Sequence, residues 1–190
     1  MDYVQPDFYR FNEDSLKLVE AVTDNIKHAS RVLDVGAGCG VVGIELAQKI
    51  RIDELELLEV QDVFKPYLEE NISLFIPSIK SSITICSLSK FQTQNQYDLI
   101  VCNPPYYLPG KGKPNKDINR GICRSFQIDS WKELLQLFYT SLTSTGTAWV
   151  VIKNDEALLQ VIEKESKLNS LLSSMIVQSK IVIIKFYREV

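Results

Sequence analysis

The sequence predicts an α/β fold, a mostly parallel sheet covered by helices on both faces, and three observations carry that prediction. Short apolar runs rich in Val, Ile and Leu alternate with segments of helical period through most of the chain. The first such run, Arg31 to Gly36, breaks directly into Gly36-Ala37-Gly38-Cys39-Gly40 and then into a helical pattern. The last two runs, Ser174 to Gln178 and Lys180 to Tyr187, follow one another without a helix between them. They predict paired strands, so an antiparallel strand should lie near the C-terminal side of the sheet.

Each element has its own signal. Residues Gln5 to Phe11 show neither period and read as an ordered extension. Leu16, Leu18, Val19, Val22 and Ile26 then recur at helical spacing, predicting a helix from an N-cap at Asn12 or Asp14 to about Ala29. His28 falls at its end and reads as a solvated or C-capping histidine rather than a catalytic one. After the Arg31 to Gly36 strand, Val41, Val42, Ile44, Leu46, Ala47 and Ile50 mark a helix. A second strand, Glu54 to Leu58, ends in Glu59. A helix follows over Asp62 to Ser73, with Pro66 tolerated in its first turn. Ser82 to Cys86 and Tyr97 to Cys102 are the third and fourth strands, and Ile128 to Leu142 is a helix with Trp131, Leu134, Leu135 and Phe138 as its core stripe. Thr147 to Lys153 is the fifth strand, Glu156 to Lys164 a helix, and the two closing runs complete a seven-stranded sheet.

Composition narrows the function. The 190 residues are 45% hydrophobic and 24% charged, proportions that suit one globular domain over 1–190. Residues 1–29 would form an N-terminal extension and helix, and 30–190 the α/β core. No window reaches the length of a membrane span, and Met1-Asp2-Tyr3 lacks the basic start of a signal peptide, so a cytoplasmic protein is expected. Four cysteines without a Cys-x-x-Cys pair, and a single histidine, give no zinc-ligand spacing; reduced thiols and no metal are expected. With a formal net charge of −3, a nucleic-acid partner would need a local basic patch. One exists: Lys111, Lys113, Lys116, Arg120 and Arg124 cluster in and after a Gly/Pro loop that has no apolar period, and they are candidates for phosphate contacts.

Three motifs carry chemistry. A glycine turn between strand and helix lets a ligand approach the backbone, with a helix N-terminus facing it. Glu59, about twenty residues beyond the glycines, stands where a carboxylate accepts hydrogen bonds from ribose hydroxyls. Val41 occupies the third-glycine place of a dinucleotide fingerprint, so these two motifs alone leave a dinucleotide and S-adenosylmethionine both open. The third motif is Asn103-Pro104-Pro105-Tyr106, which ends the fourth strand abruptly because proline donates no ladder hydrogen bond. This rigid turn suits a planar, amine-bearing group. The Asn103 side-chain oxygen and the Pro104 carbonyl could each accept an N–H from a weakly nucleophilic amine, localising its lone pair toward a methyl donor, while Tyr106 stacks on its plane.

These residues bring a resemblance with them. The sequence resembles class I S-adenosylmethionine-dependent methyltransferases of the Asn-Pro-Pro-Tyr, amino-methylating group, and within it the bacterial tRNA(Val) adenine-N6 methyltransferases. Tyr9-Arg10-Phe11-Asn12-Glu13-Asp14-Ser15 is similar to that family's N-terminal segment, which closes over the cofactor. Leu33 to Gly40 and Leu58-Glu59-Val60-Gln61 resemble its cofactor motifs, and Asn103 to Tyr107 with Arg120-Gly121-Ile122-Cys123-Arg124 its catalytic region. The resemblance implies a Rossmann-like class I methyltransferase fold and catalysis at Asn103, Pro104, Pro105 and Tyr106. It implies cofactor binding by Asp34, Gly36, Gly38, Gly40, Glu59, Asp14 and Ser15, and RNA contact by Tyr107 and the basic residues. Where many relatives carry an acid after the third strand, this chain has Cys86-Ser87-Leu88-Ser89, with Ser87 as the group able to hydrogen-bond the cofactor. After Arg124, Ser125-Phe126 stands in place of the family's usual His-Glu.

The expected activity is S-adenosylmethionine-dependent methylation of an exocyclic amine, adenine N6 in tRNA or another RNA. Two alternatives stay open: a protein glutamine N5-methyltransferase sharing the motif, and a non-catalytic RNA- or cofactor-binding protein on the same scaffold.

Overall fold

The computed structural model describes residues 2–94, 96–105 and 128–189. Strands β1 (His28–Val35), β2 (Arg51–Glu59), β3 (Lys80–Ile85), β4 (Tyr97–Cys102), β5 (Leu142–Lys153), β6 (Leu171–Val177) and β7 (Ile181–Arg188) form one sheet in the order β3-β2-β1-β4-β5-β7-β6. The first five pair in parallel, and β7 runs antiparallel to both β5 and β6. The antiparallel strand is thus one in from the edge, as the closing pair of apolar runs predicts.

Five helices are described: α1 (Glu13–Asn25), α2 (Val41–Lys49), α3 (Lys65–Phe75), α4 (Ile128–Ser141) and α5 (Glu156–Leu168). Alternate strand residues face opposite layers, so each strand supplies both cores. Val32, Leu55, Leu57, Leu99 and Val101 pack with Leu18, Val19 and Val22 of α1, Ile44 and Leu46 of α2, and Leu68 of α3. Leu33, Leu58, Ile100, Val150 and Ile184 pack with Trp131, Leu134, Leu135 and Phe138 of α4 and Leu158 and Ile162 of α5. No described helix is long and apolar enough to cross a membrane.

Several boundaries differ from the sequence reading, among them those of α1 and β5. The first helix stops at Asn25 rather than Ala29, and His28 opens β1 instead of closing α1. The cause is pairing: His28 and Ala29 lie beside Arg51 and Ile52 of β2, and His28 Nε2 sits 3.4 Å from Asp53 Oδ2. Asn12 occupies the N-cap position but makes no side-chain cap; its amide donates to Asp14 Oδ2 at 3.0 Å. β5 begins at Leu142, five residues early, because a register shift beside Tyr97 and Leu99 lets the longer strand stay paired with β4.

Register positions the functional edge. Val35 pairs with Leu58 on one side and with Cys102 on the other, and Glu59 pairs with Ile85. β1 is therefore flanked by β2 and β4 at the point where the winding direction of the sheet reverses, and the residues that follow these strands emerge side by side. Open α/β sheets bind their ligands in the crevice at this switch point.

Candidate active site

The glycine turn leaves β1 through a backbone that side chains disfavour. Gly36, Gly38 and Gly40 all have positive φ, at 69°, 56° and 83°. At Gly40 a Cβ would lie 3.0 to 3.2 Å from Ile44, Leu68 and Leu57, so both conformation and packing require glycine there. The N–H groups of Gly36 and Ala37 donate to the Leu58 carbonyl at 2.8 and 3.0 Å, which ties the turn to the end of β2.

Glu59 sits directly beside that turn, 5% exposed. Its Oε2 accepts from the Gly38 N–H at 2.9 Å, and its Oε1 accepts from the N–H groups of Val60 and Gln61, each at 2.9 Å. Burial raises its pKa, while those three backbone donors pull in the opposite direction. A carboxylate offers about four acceptor positions, so with three taken it retains capacity for a further donor such as a hydroxyl. The Glu59 carbonyl also accepts from the Cys86 N–H at 3.0 Å, which brings the end of β3 to the same edge. There Ser87 starts a short 3-10 turn, Leu88–Lys90, and its Oγ lies 3.0 Å from Ser89 Oγ.

Asp34 lies deeper. It is 1% exposed, and its Oδ2 accepts the Gly43 N–H at 2.8 Å, anchoring the first turn of α2. Burial pushes its carboxyl up to about 7, the Gly43 N–H opposes that shift, and the nearby charge of Glu59 adds to it. The same buried acids, behind its own burial, raise the Cys102 thiol. Asp34 therefore underpins the glycine turn from beneath.

Asn103 and Pro104 continue from β4 at the same edge, with Pro104 buried and Asn103 and Pro105 half-buried. Asn103 Nδ2 donates to Ser15 Oγ at 2.8 Å. Ser15 is 3% exposed in the first turn of α1, next to Asp14, so the N-terminal helix reaches the end of β4 directly. Glycine turn, Glu59, Ser87, Ser15 and Asn103 are thus gathered along one edge. Tyr106, Tyr107, Lys111, Lys113, Lys116, Arg120 and Arg124 lie outside the described residues.

The N-terminal extension covers the glycine turn. The Tyr9 hydroxyl lies 3.2 Å from where a Cβ of Gly38 would stand, and its ring meets Phe64 edge-on at 5.2 Å between centroids. Asn71, fully buried in α3, holds the strap: its Oδ1 accepts the Val4 N–H at 2.9 Å, and its Nδ2 donates to the carbonyls of Val4 at 3.0 Å and Cys39 at 2.9 Å. Tyr3 adds a hydrogen bond to Glu45 at 3.1 Å and ring contacts with Phe11 and Phe75. Neither Asn71 nor the hydroxyl of Ser15 as partner of Asn103 carries a local sequence signal, since these contacts span from 32 to 88 residues. Among the described residues, no group of three or more His, Cys, Asp or Glu side chains could hold a metal ion.

An acceptor carboxylate beside a glycine turn, with polar Ser87 across the edge, is a donor and acceptor set that fits a nucleoside with ribose hydroxyls and a polar base edge. In sequence, the chain is 27% identical over 128 residues to a tRNA1(Val) (adenine(37)-N6)-methyltransferase of Aliivibrio fischeri, covering 67% of this chain and 54% of that protein. It is 24% identical over 148 residues to a protein of the same name from Pedobacter heparinus, covering 78% of this chain and 62% of that one. The chain thus spans little more than half the length of these relatives. In structure, it resembles a ribosomal protein L11 methylase from Lactobacillus delbrueckii with a TM-score of 0.70 and 18% identity, covering 95% of this chain and 81% of that one. It also resembles the Thermus thermophilus 16S rRNA N2 G1207 methyltransferase, solved with AdoMet and guanosine, with a TM-score of 0.70 and 16% identity over 95% of this chain and 44% of that one. These structural likenesses establish the shared Rossmann-like fold. The family described as methyltransferase small domain matches residues 10–180, which hold the glycine turn, Glu59, Asn103 and most of the sheet, and the chain belongs to that family.

Proposed function

We propose that this chain is an S-adenosylmethionine-dependent N-methyltransferase that acts on the exocyclic N6 amine of adenine in RNA, with tRNA as the substrate class. The observation that carries the reading is register. Val35, Leu58 and Cys102 are aligned, so the glycine turn, Glu59 and Asn103 leave neighbouring strand ends within one crevice. The names of the curated relatives support adenine N6 as acceptor, and the basic cluster from Lys111 to Arg124 supports an RNA partner. The whole of 1–190 would act as one methyltransferase domain, in the cytoplasm, where tRNA is handled.

In this reading Gly36, Gly38 and Gly40 let the cofactor approach the backbone, Glu59 accepts from its ribose, and Ser87 hydrogen-bonds its base, with Asp34 bracing the turn and Asp14 and Ser15 bounding the site from α1. The bound cofactor supplies a methyl group made electrophilic by its sulfonium. The adenine amine is a poor nucleophile because its lone pair is delocalised into the ring. Asn103 Oδ1 and the Pro104 carbonyl each accept one of its N–H groups, which draws the nitrogen toward tetrahedral geometry and turns the lone pair toward the methyl carbon. Tyr106 stacks against the extruded base, Tyr107 contacts the RNA beside it, and Lys111, Lys113, Lys116, Arg120 and Arg124 hold the surrounding phosphates. The gain comes from positioning and preorganised dipoles rather than from a strong base.

The experiment is methyl transfer from labelled S-adenosylmethionine to unmodified tRNA, with the product identified by nucleoside mass spectrometry. N6-methyladenosine is expected, and Asn103→Ala should lower the rate by about 100-fold or more. Transfer to a release factor instead of tRNA would move the acceptor to glutamine. No transfer to any RNA or protein would overturn the enzymatic reading.

A further inference from the structure

Asn103 carries two opposite ends on one planar group: an oxygen that only accepts, and an NH2 that only donates. An amine substrate needs the oxygen. The two prolines fix the backbone that follows Asn103, but a rigid backbone does not by itself decide where the side-chain amide points.

That decision is made from the other end of the chain. Ser15 Oγ accepts from Asn103 Nδ2 at 2.8 Å across 88 residues of sequence, inside a contact that leaves Ser15 3% exposed. Ser15 is itself fixed in the first turn of α1, with its N–H donating to the Asn12 carbonyl at 3.3 Å. On the reading proposed above, we infer that Ser15 is a positioning residue for catalysis: it receives the NH2 end of Asn103 and so turns the oxygen end toward the substrate amine. A second effect has the same sign. Donation from Nδ2 draws electron density through the amide toward Oδ1, which makes that oxygen a better acceptor for the adenine N–H. Ser15 thus acts on the reacting amine through Asn103, and this role differs from the cofactor contact that the family resemblance implies for it.

The role has a readout that separates it from cofactor binding. In the full chain, with unmodified tRNA and cofactor both saturating, Ser15→Ala is expected to lower kcat about 10- to 100-fold. The dissociation constant for S-adenosylmethionine, measured by calorimetry, should stay within about threefold. Ser15→Cys keeps the volume of the buried side chain and loses the strong acceptor, so it should show the same kcat loss while preserving the packing around α1. The side-chain amide resonances of 15N-labelled Asn103, assigned by their loss in Asn103→Asp, should shift in both variants. An unchanged kcat would overturn the inference. So would cofactor affinity that weakens by the same factor as kcat, which would make Ser15 a cofactor ligand. Unshifted amide resonances would overturn it whatever the activity. If the unaltered chain methylates no RNA, the functional reading falls, while the resonances still decide whether Ser15 holds Asn103.

Discussion

Asp34 shows at the scale of one residue what the site costs the fold. Its carboxyl is raised from an ordinary 3.8 to about 7, first by burial, so the folded protein holds a proton there that the unfolded chain releases near pH 4. The stabilisation is complete below the unfolded value and is lost as pH rises through the folded one, between about pH 4 and 7. Glu59, also raised, contributes with the same sign. Asp34→Asn keeps an oxygen for the Gly43 N–H and removes the buried charge. It is therefore expected to flatten the pH dependence and to unfold at higher urea than the natural protein at pH 8, with little difference at pH 4; urea midpoints across that range test this. Glu59 can be singled out in the sequence because it follows a strand that the apolar pattern marks, and Asp34 because it stands in the motif from Leu33 to Gly40; the hydrogen bond from Gly43 to Asp34 carries no such signal. Ser15 was not legible as the partner of Asn103, because nothing within a window around either residue points to the other.

At the scale of elements, the N-terminal strap depends on Asn71. That one side chain satisfies the Val4 N–H, the Val4 carbonyl and the Cys39 carbonyl, and so joins the strap to the glycine turn. Asn71→Ala would leave the buried Cys39 carbonyl and the half-buried Val4 N–H and carbonyl without these partners, at a cost of about 2 to 4 kcal/mol. The expected outcome is a lower urea midpoint together with faster proteolytic cleavage near Val4, and weaker cofactor binding, because Tyr9 loses its seat over Gly38. Helix interiors and strand centres could be read from the sequence, since they rest on periodicity. Ends could not: α1 yields to β1 before His28 because β2 offers His28 and Ala29 a ladder, and such an offer comes from residues more than twenty positions away. β5 was read short for the same reason, its first residues being too polar to mark a strand until β4 pairs with them.

For the whole molecule, a mostly parallel sheet follows from alternating strands and helices, but how its far edge meets solvent does not. β6 is the last strand, and apart from Leu171 its residues are exposed on both faces, including Leu172, Met175, Ile176 and Val177. From Leu171 to Gln178 it carries no charge to discourage pairing with another chain. Val177→Lys is expected to raise the protein concentration at which light scattering begins by about twofold or more, with no change in the unfolding midpoint.

The contact between Ser15 and Asn103 also sets an order of events during synthesis. The strap and α1 leave the ribosome before β4, and the amide that Ser15 holds is added 88 residues after it. A nascent chain that stops short of Asn103 has no amide for Ser15 to hold. Loop closure on this scale precedes any reward from the contact. The contact between Ser15 and Asn103 is therefore absent from partial chains and can form only once Asn103 has followed the fourth strand out.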